Sequence, residues 1–245
     1  MSLNASLNTA LTGLQVSQSL MRVPANNIAN AGTEGYTRKI GSLGSLSLGD
    51  VGAGVRIEDV TRQVDNFLVK QSNAQTSEVS AANTLSAFYV RLQDLFGTPE
   101  NNSSIAGQLN ELRSALEKLA VDSQQSVAQS TAVTSAEDVV NTLHTISTAI
   151  QGMRQEVDRQ IGDGIDKINT ELVNIDKLNV DIVRNKTLDQ PTGELEDKRD
   201  MSLKVIAEQM DVKWFTNASN SLTLLTGSNY TLLDSLPRTI DFSSP

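Results

Sequence analysis

The feature that most limits the fold of this chain is a long stretch without proline, from Thr134 to Asn185, in which apolar residues recur every three or four positions. Its apolar positions are Val140, Leu143, Ile146, Ile150, Met153, Val157, Ile161, Ile165, Ile168, Leu172, Ile175, Leu178 and Ile182. This spacing predicts a helix, which would span on the order of 75 Å at about 1.5 Å per residue. Gly162 and Gly164 weaken its middle by roughly 1 kcal/mol each relative to Ala, which favours a bend there. Helices of this length are typical of coiled coils and rods.

Shorter helical patterns and two strand-rich stretches make up the rest of the sequence. The helical patterns cover residues 3–21, 60–96, 105–119 and 194–210. Residues 40–58 predict short strands with a hairpin turn, and further strands are predicted at 212–215, 222–225 and 230–233. Pro24 predicts a kink or a restart of the first helix, and Ser103 or Ser104 is expected to cap the helix at 105–119. The segment 122–134 is either a connector or a weak helix start.

Composition restricts both the fold and the function. The net charge of −9 argues against nucleic acid as a partner, and the absence of cysteine excludes disulfides and thiolate metal sites. No apolar run approaches the roughly 20 residues that span a bilayer. Aromatic residues make up only 4% of the chain, which suits helices that each bury one stripe better than a thick core. The predicted fold is mainly α: an elongated antiparallel helical bundle or coiled coil with small β elements.

The N-terminal pattern forms an apolar seam that one short helix cannot bury by itself. Its positions alternate by four and three and are Leu3, Leu7, Ala10, Leu14, Ser17 and Met21, with Leu11 and Leu20 beside them. An isolated helix of about 20 residues is marginal in water. We therefore expect residues 1–30 to be mobile or loosely docked in the free protomer and to become ordered against neighbouring subunits.

A dense turn motif follows this helix. The signature segment, residues 25–39, reads Ala-Asn-Asn-Ile-Ala-Asn-Ala-Gly-Thr-Glu-Gly-Tyr-Thr-Arg-Lys. Asn30, Gly32 and Gly35 are residue types that end helices and form turns, so the helix should end near Asn30. We expect Asn26 and Asn27 to help turn the chain, and Tyr36 to anchor the loop with its ring packed and its hydroxyl bonded. The plainer interpretation is an ordinary helix C-cap.

The signature segment resembles the N-terminal signature of the bacterial flagellar rod, hook and hook-associated proteins. The resemblance rests on the core Asn26 to Asn30, the pair Gly35-Tyr36, and the basic residues Arg38 and Lys39. Later blocks resemble hook-associated members of that family that form a junction between hook and filament. These blocks are Gly52 to Val55 with Arg62, Asp65, Phe67 and Leu68; Asp94 to Gly97; and Leu188 to Leu203, especially Asp197-Lys198-Arg199-Asp200.

Two departures from the family pattern stand out. The family usually has Gln where Lys198 stands, and it pairs its N-terminal helix with a C-terminal heptad helix that does not follow the strands here. We therefore expect the chain to be a fragment or a shortened form that lacks the C-terminal part. The division expected from the sequence is an assembly segment at 1–38, an extended stretch at 39–58, a long-helix bundle at 59–210, and a small β meander and tail at 211–245.

The resemblance implies a structural junction protein that links hook to filament by helical packing between subunits. The implied partners are the hook protein, the second junction protein, other copies of the chain in a ring or helical layer, and an export chaperone. The implied location is the extracellular flagellum, reached through the type III channel without a cleaved signal peptide. The residues expected to carry assembly are Leu3, Leu7, Leu11, Leu14, Met21, Asn26, Asn27, Ile28, Asn30, Gly32, Gly35 and Tyr36.

Residues that could carry chemistry have simpler interpretations. His144 is the only histidine and has no ligand partner at metal spacing, so a polar helix position is expected. Four carboxylates near the start of the 194–210 helix suit capping and helix-surface pairs with Lys198 and Arg199 better than acid/base catalysis: Glu194, Glu196, Asp197 and Asp200. Trp214 suits a small β core, and Asn101-Asn102-Ser103 is a glycosylation sequon or an ordinary loop.

We therefore expect no enzymatic activity, no cofactor and no metal. Two alternatives stay open at this point: a coiled-coil interaction protein unrelated to flagella, and a hydrolase whose site is not recognisable. A catalytic site would need convergent titratable groups in a pocket, which this sequence does not visibly provide.

Overall fold

The computed structural model describes residues 3–48, 51–98 and 104–243, and within them the protein is mainly α with two small antiparallel sheets. In chain order the elements are α1 (Leu3–Ala29), β1 (Lys39–Leu48), β2 (Val51–Arg62), α2 (Asn66–Phe96), α3 (Ile105–Val121), α4 (Ser126–Thr187), α5 (Gly193–Gln209), β3 (Val212–Thr216), β4 (Leu222–Thr226) and β5 (Thr231–Leu233). The mainly α prediction is confirmed. The long apolar repeat is one helix of 62 residues, and the segment predicted as a connector or a weak helix start supplies its first turns.

One local prediction was wrong, and one of the two alternatives predicted at Pro24 is excluded. The second helix does not begin at Val60, because β2 stays paired with β1 as far as Arg62 and the helix begins at Asn66. The side chain of Asp65 accepts hydrogen bonds from the amides of Phe67 (2.9 Å) and Leu68 (3.4 Å), which starts the helix there. Pro24 lies inside α1, so that helix does not restart at the proline.

One compact unit comprises residues 1–78 and 165–241. Its core lies in residues 165–241, which we call the base and which contain the end of α4, α5 and the sheet β3–β4–β5. The buried core side chains are Ile168, Leu172, Ile175, Leu203, Ile206, Ala207, Val212, Trp214, Leu222, Leu224, Leu232 and Leu233. Each fully buried Leu or Ile contributes roughly 1.5–3 kcal/mol, so the base is the well-packed part of this unit.

The sheet of the base is an antiparallel meander. Strand β4 pairs with β3 through Trp214 and Leu224 and with β5 through Leu224 and Leu233. Asn220 and Asn229 adopt positive φ in the two turns, as expected of asparagine at tight turns. The predicted strands and the place of Trp214 in a small β core are confirmed.

The other sheet is the hairpin of β1 and β2, and α1 lies across it. The register joins Lys39 to Arg62 at the open end of the hairpin. Gly41 and Gly54 lie under α1, and a Cβ added at either would overlap Leu20 or Thr12 of the helix. The predicted hairpin is confirmed, although Gly49 and Asp50 of its turn lie outside the described residues.

A second compact unit comprises residues 79–164 and 242–245. Among its described residues, the buried apolar side chains are small or β-branched: Ala115, Ala132, Val139 and Ile146. Ser104 is the N-cap of α3, and its hydroxyl accepts a hydrogen bond from the amide of Gly107 (3.0 Å), as predicted. His144 is exposed on α4. The sequon residues 101–103 lie outside the described residues.

Candidate functional site at the signature segment

The apolar seam of α1 is largely uncovered. Leu3, Leu7 and Leu14 are 88%, 67% and 58% exposed, and Leu11, Met21 and Ile28 are exposed as well. The hairpin contacts the other side of α1, at Thr12 and Leu20. An open apolar groove of about 450 Å³ lies beside the seam, between Met21 and Pro24 of α1 and Ile40 of β1. The described chain therefore leaves the predicted assembly face free for a partner.

The turn that ends α1 is built by asparagine and glycine. The amide of Asn30 donates to Asn26 O (3.0 Å), and the amide of Thr33 donates to Asn30 O (2.9 Å). The side-chain amide of Asn30 also donates to Asn26 O (3.0 Å). Gly35 then adopts a φ of +78°, which L side chains rarely take. The predicted helix end and turn are confirmed.

Asn27 joins the end of α1 to the start of β1. Its side-chain nitrogen donates to Lys39 O (2.8 Å), and its side-chain oxygen accepts from the amide of Lys39 (3.0 Å). The same oxygen accepts the hydroxyl of Tyr36 (3.0 Å). The ammonium of Lys39 lies 3.8 Å from the centre of the Tyr36 ring, in cation–π geometry. The expected anchoring of Tyr36 is confirmed, with Asn27 as its hydroxyl partner.

The signature segment rests on α5 of the base. A Cβ added at Gly35 would overlap Sδ of Met201, so only glycine allows this close approach. Gly193, the first residue of α5, likewise lies close to the aliphatic parts of the Lys39 and Arg62 side chains. A Cβ added at Gly193 would lie 3.0 Å from Lys39 Cε and 3.3 Å from Arg62 Cγ. Both glycines bring the segment against the helix.

An ion-pair cluster centred on Asp197 makes the polar part of this contact. The Lys39 ammonium lies 2.8 Å from Asp197 Oδ2, and Arg62 Nη1 lies 3.1 Å from Asp197 Oδ1. Thr37 adds its hydroxyl to Oδ1 and its amide to Oδ2, the latter at 3.3 Å. Lys39 is only 8% exposed and Asp197 only 6%, so these charges are largely removed from water.

Three further carboxylates of α5 surround the same two cations. Glu194 lies 2.8 Å from the Lys39 ammonium, while Glu196 and Asp200 each lie 2.7 Å from a guanidinium nitrogen of Arg62. Opposite charges in such contact satisfy one another and remove the cost of leaving a buried charge unpaired.

At the centre of the cluster, burial and the bonds between opposite charges shift the pKa values in opposite directions. Burial alone would raise the pKa of Asp197, but hydrogen bonds from Lys39, Thr37 and Arg62 outweigh it and hold that pKa below its usual value. Burial also opposes the charged form of Lys39, yet its bonds to Asp197 and Glu194 leave the lysine pKa raised. Both groups therefore carry their charge at neutral pH.

For Asp200 and Arg199, burial has the larger effect on the pKa. It raises the pKa of Asp200 although the attraction to Arg62 acts in the opposite direction. It also lowers the pKa of Arg199, which the carboxylates of Asp200 and Glu196 only partly offset.

Arg199 belongs to a second, internal network of the base. Its Nη1 donates to Asn179 Oδ1 (3.1 Å) and to Asn220 O (2.6 Å). Asn179 in turn makes two bonds with the backbone of Leu222, both at 2.9 Å. This network holds α4, α5 and the first residue of β4 together and so supports the surface that receives the signature segment.

The acids expected in the first turn of α5 are present, but the expected pairing of the four carboxylates with Lys198 and Arg199 was wrong. They do not make local helix-surface pairs with Lys198 and Arg199, since they bind Lys39 and Arg62, more than 130 positions earlier. Sequence reasoning missed Lys39, Arg62 and Asn179 as site residues. The available signal was the pair of resemblance blocks themselves, because both the basic end of the signature segment and the Asp197–Asp200 block belong to this one contact.

The cluster holds the signature segment against α5 by ion pairs. Its carboxylates are paired with cations, and the part of the chain that the structure describes contains no group of three or more His, Cys, Asp or Glu placed to hold a metal ion. Within the same described residues, no helix is long and apolar enough to cross a bilayer.

Comparison with known proteins gives a consistent family. Residues 89–238 match the family described as the flagellar hook-associated protein FlgK helical domain, and residues 7–37 match the flagella basal body rod protein family. The flagellar hook-associated protein 1 of Salmonella typhimurium is 25% identical over 250 residues, which cover 96% of this chain and 45% of that protein. The protein of that name from Bacillus subtilis is 24% identical, over 89% of this chain and 45% of its own length.

A solved structure shares the fold. The flagellar hook junction protein FlgK from Burkholderia pseudomallei superposes with a TM-score of 0.61 at 22% identity, over 68% of this chain and 29% of that one. The chain thus spans about half the length of the curated relatives it matches. Since the helical-domain match covers more than half of the chain, the chain belongs to the family of the flagellar hook-associated protein FlgK helical domain.

Proposed function

We propose that this chain is a structural component of the junction between the flagellar hook and the filament, and that it acts by packing against neighbouring subunits. The observation that carries the proposal is the uncovered apolar seam of α1 directly beside a firmly anchored signature segment. A monomeric soluble protein rarely leaves a continuous apolar face open without a partner for it.

The energetics favour assembly through this seam. Leu7 and Leu14 are more than half exposed, and burying a Leu fully is worth roughly 1.5–3 kcal/mol. Since an isolated helix of this length is only marginally stable in water, burial of a few such residues against a neighbouring subunit would stabilise it further. The signature segment would fix where that helix leaves the base.

The proposed partners follow from the same role. They are the hook protein, the second junction protein and other copies of the chain in a ring or helical layer, all outside the cell, with an export chaperone during delivery through the type III channel. The relatives carry the printed names of hook-associated and hook junction proteins. We propose no enzymatic activity, and neither the hydrolase alternative nor an unrelated coiled-coil role has an observation in its favour.

Deletion of the gene tests the function directly. Cells of the source bacterium without the gene should keep hooks but carry no attached filaments, and flagellin should accumulate in the medium. Restoration of the unaltered gene at its own locus is the control. Filaments attached at normal number in the deletion strain would contradict a junction role.

A further inference from the structure

We propose that the ion-pair cluster is a latch that fixes an N-terminal arm, described at residues 3–48 and 51–62, to the first turns of α5. The arm consists of α1 and the hairpin β1–β2. Closed, the latch sets the position of the apolar seam relative to the base; open, the arm turns as one body about the short connection to α2. The inference concerns the free chain and does not depend on the proposed function.

Contacts between α1 and the hairpin hold the arm together. Helix α1 approaches the hairpin closely at Gly41 and Gly54, where an added Cβ would overlap the side chain of Leu20 or Thr12. Asn27 makes paired hydrogen bonds with the backbone of Lys39, which ties the last turn of α1 to the first residue of β1. These contacts lie within the arm, so they persist whether or not the arm is docked.

The covalent connection between the arm and the rest of the chain is short. Residues 63–65 are all that separate β2 from α2. Asp65 already belongs to the start of α2 through its bond to the amide of Phe67. Few backbone dihedral angles therefore need to change for the arm to turn, as is usual at hinges.

Docking of the arm depends heavily on charge. The signature segment and Arg62 meet α5 through Asp197 and its neighbouring carboxylates, and Gly35 packs closely against Met201 beside them. An open and largely polar groove of about 580 Å³ begins at Arg62 and Glu196 of the cluster and continues to Glu58 of β2 and Lys186 of α4. The arm and the base are thus separated by an open groove next to the cluster, whereas at the cluster itself they are in direct contact.

A buried ionic contact has the properties of a latch. Removing one member of a buried, mutually paired set leaves the other charges with fewer partners in a place that water barely reaches, which costs more than trimming an apolar contact. Asp197 is the member shared by Lys39, Arg62 and Thr37. Because Glu194, Glu196 and Asp200 still hold the same two cations, loss of its charge should raise the open-to-closed ratio by about tenfold.

Distance measurements between two spin labels test the latch in the intact chain. The sequence has no cysteine, so Ser45→Cys on β1 and Lys177→Cys on α4, both exposed and both in the same unit, give two unique labelling sites. The otherwise unchanged protein should show one narrow distance distribution. Asp197→Asn on the base side and Lys39→Met on the arm side should each broaden it and add a second population.

The matched control uses the exposed ion pair between the same two elements. Glu34 of the signature segment and Lys204 of α5 lie 2.6 Å apart but are accessible to water, so Glu34→Gln should leave the distribution narrow. Amide protection of Leu203 and Ile206 in each variant reports whether the base is still folded.

Three results would overturn the inference. The first is a broad distribution before any cluster residue is changed. The second is a narrow, unshifted distribution in both Asp197→Asn and Lys39→Met with the base still protected. The third is broadening only in variants whose base has lost protection, because the cluster would then stabilise the base as a whole rather than latch the arm.

Discussion

At the residue scale, the signature segment is held by a small number of side chains that each make several bonds. The side-chain amide of Asn27 bonds both Tyr36 and Lys39, and the carboxylate of Asp197 accepts from four donor groups of Thr37, Lys39 and Arg62. Side chains with several partners are costly to replace, because each change leaves more than one buried polar group without its partner.

Tyr36→Phe tests the smallest part of this arrangement. The change removes the hydroxyl that donates to Asn27 and keeps the ring beneath the Lys39 ammonium. The free energy of unfolding, measured by urea denaturation, should fall by roughly 0.5–1.5 kcal/mol. Tyr230→Phe is the matched control, since Tyr230 is exposed, and it should change stability by less than about 0.5 kcal/mol. Equal effects of the two changes would count against the anchoring role.

The cluster also predicts how stability depends on pH. The folded-state pKa of Asp197 is lowered, so its contribution is present above the unfolded value of about 3.9 and is lost as the pH falls through the folded value. The folded-state pKa of Lys39 is raised, so its contribution is present below about 10.4 and is lost as the pH rises through the folded value. Urea denaturation at a series of pH values should therefore show stability falling on both the acid and the alkaline side.

Two substitutions test the acid limb of this pH profile, meaning the fall in stability at low pH. Asp197→Asn should flatten the acid limb and lower stability at neutral pH. Asp200→Asn should cost less, because burial raises the pKa of Asp200 and its ionised form is the disfavoured one, which works against the acid limb. An acid limb that is unchanged in Asp197→Asn, or a larger loss at neutral pH from Asp200→Asn, would show that this assignment of charges is wrong.

At the element scale, glycine decides how closely the loop approaches α5. Gly35→Ala places a Cβ at positive φ against Met201 and should cost about 1–3 kcal/mol in the free energy of unfolding. Gly32→Ala is the matched control three positions earlier, because nothing lies within 4 Å of its added Cβ. Thermal unfolding followed by circular dichroism compares the two, and similar melting temperatures would contradict the close packing of Gly35 on α5.

Several elements were predictable from local sequence patterns. The repeat of α4, the asparagine and glycine turns of the β3–β5 meander and the end of α1 all follow from residue spacing and turn chemistry. The start of α2 was not predictable in this way, since Val60 lies at helical spacing from Val64 but is held extended by pairing with β1. Tertiary pairing overrode the local preference.

The ion-pair cluster shows more clearly what local sequence patterns cannot predict. Lys39 and Asp197 are separated by 158 positions, and no local spacing connects them. From sequence alone the carboxylates of α5 suited the helix dipole, and that reasoning correctly placed acids in the first turn but missed their partners. The expected division of the chain into four segments, and the expected mobility of residues 1–30, stay predictions.

At the scale of the whole molecule, the residues that stabilise the free chain differ from those that we propose for assembly. The base has a buried core, whereas the seam of α1 is exposed. Substitutions in the base should therefore affect folding, and substitutions in the seam should affect only assembly. Leu203→Ala should lower the free energy of unfolding by roughly 2–5 kcal/mol, because Leu203 is completely buried. An effect below about 1 kcal/mol in urea denaturation would contradict the assignment of the core to the base.

The most direct test of the central claim replaces two seam leucines at the gene's own locus. Leu7→Asp combined with Leu14→Asp puts charges on the proposed contact face, and Asn8→Asp combined with Gln15→Asp adds the same charges at neighbouring exposed positions of α1 with the same spacing. Both purified double variants should keep the melting transition of the base and the helical circular dichroism signal of α4. By electron microscopy, cells with the leucine variant should carry hooks without filaments, and cells with the control variant should carry filaments at the normal number. Normal filament attachment in the leucine variant would contradict the account.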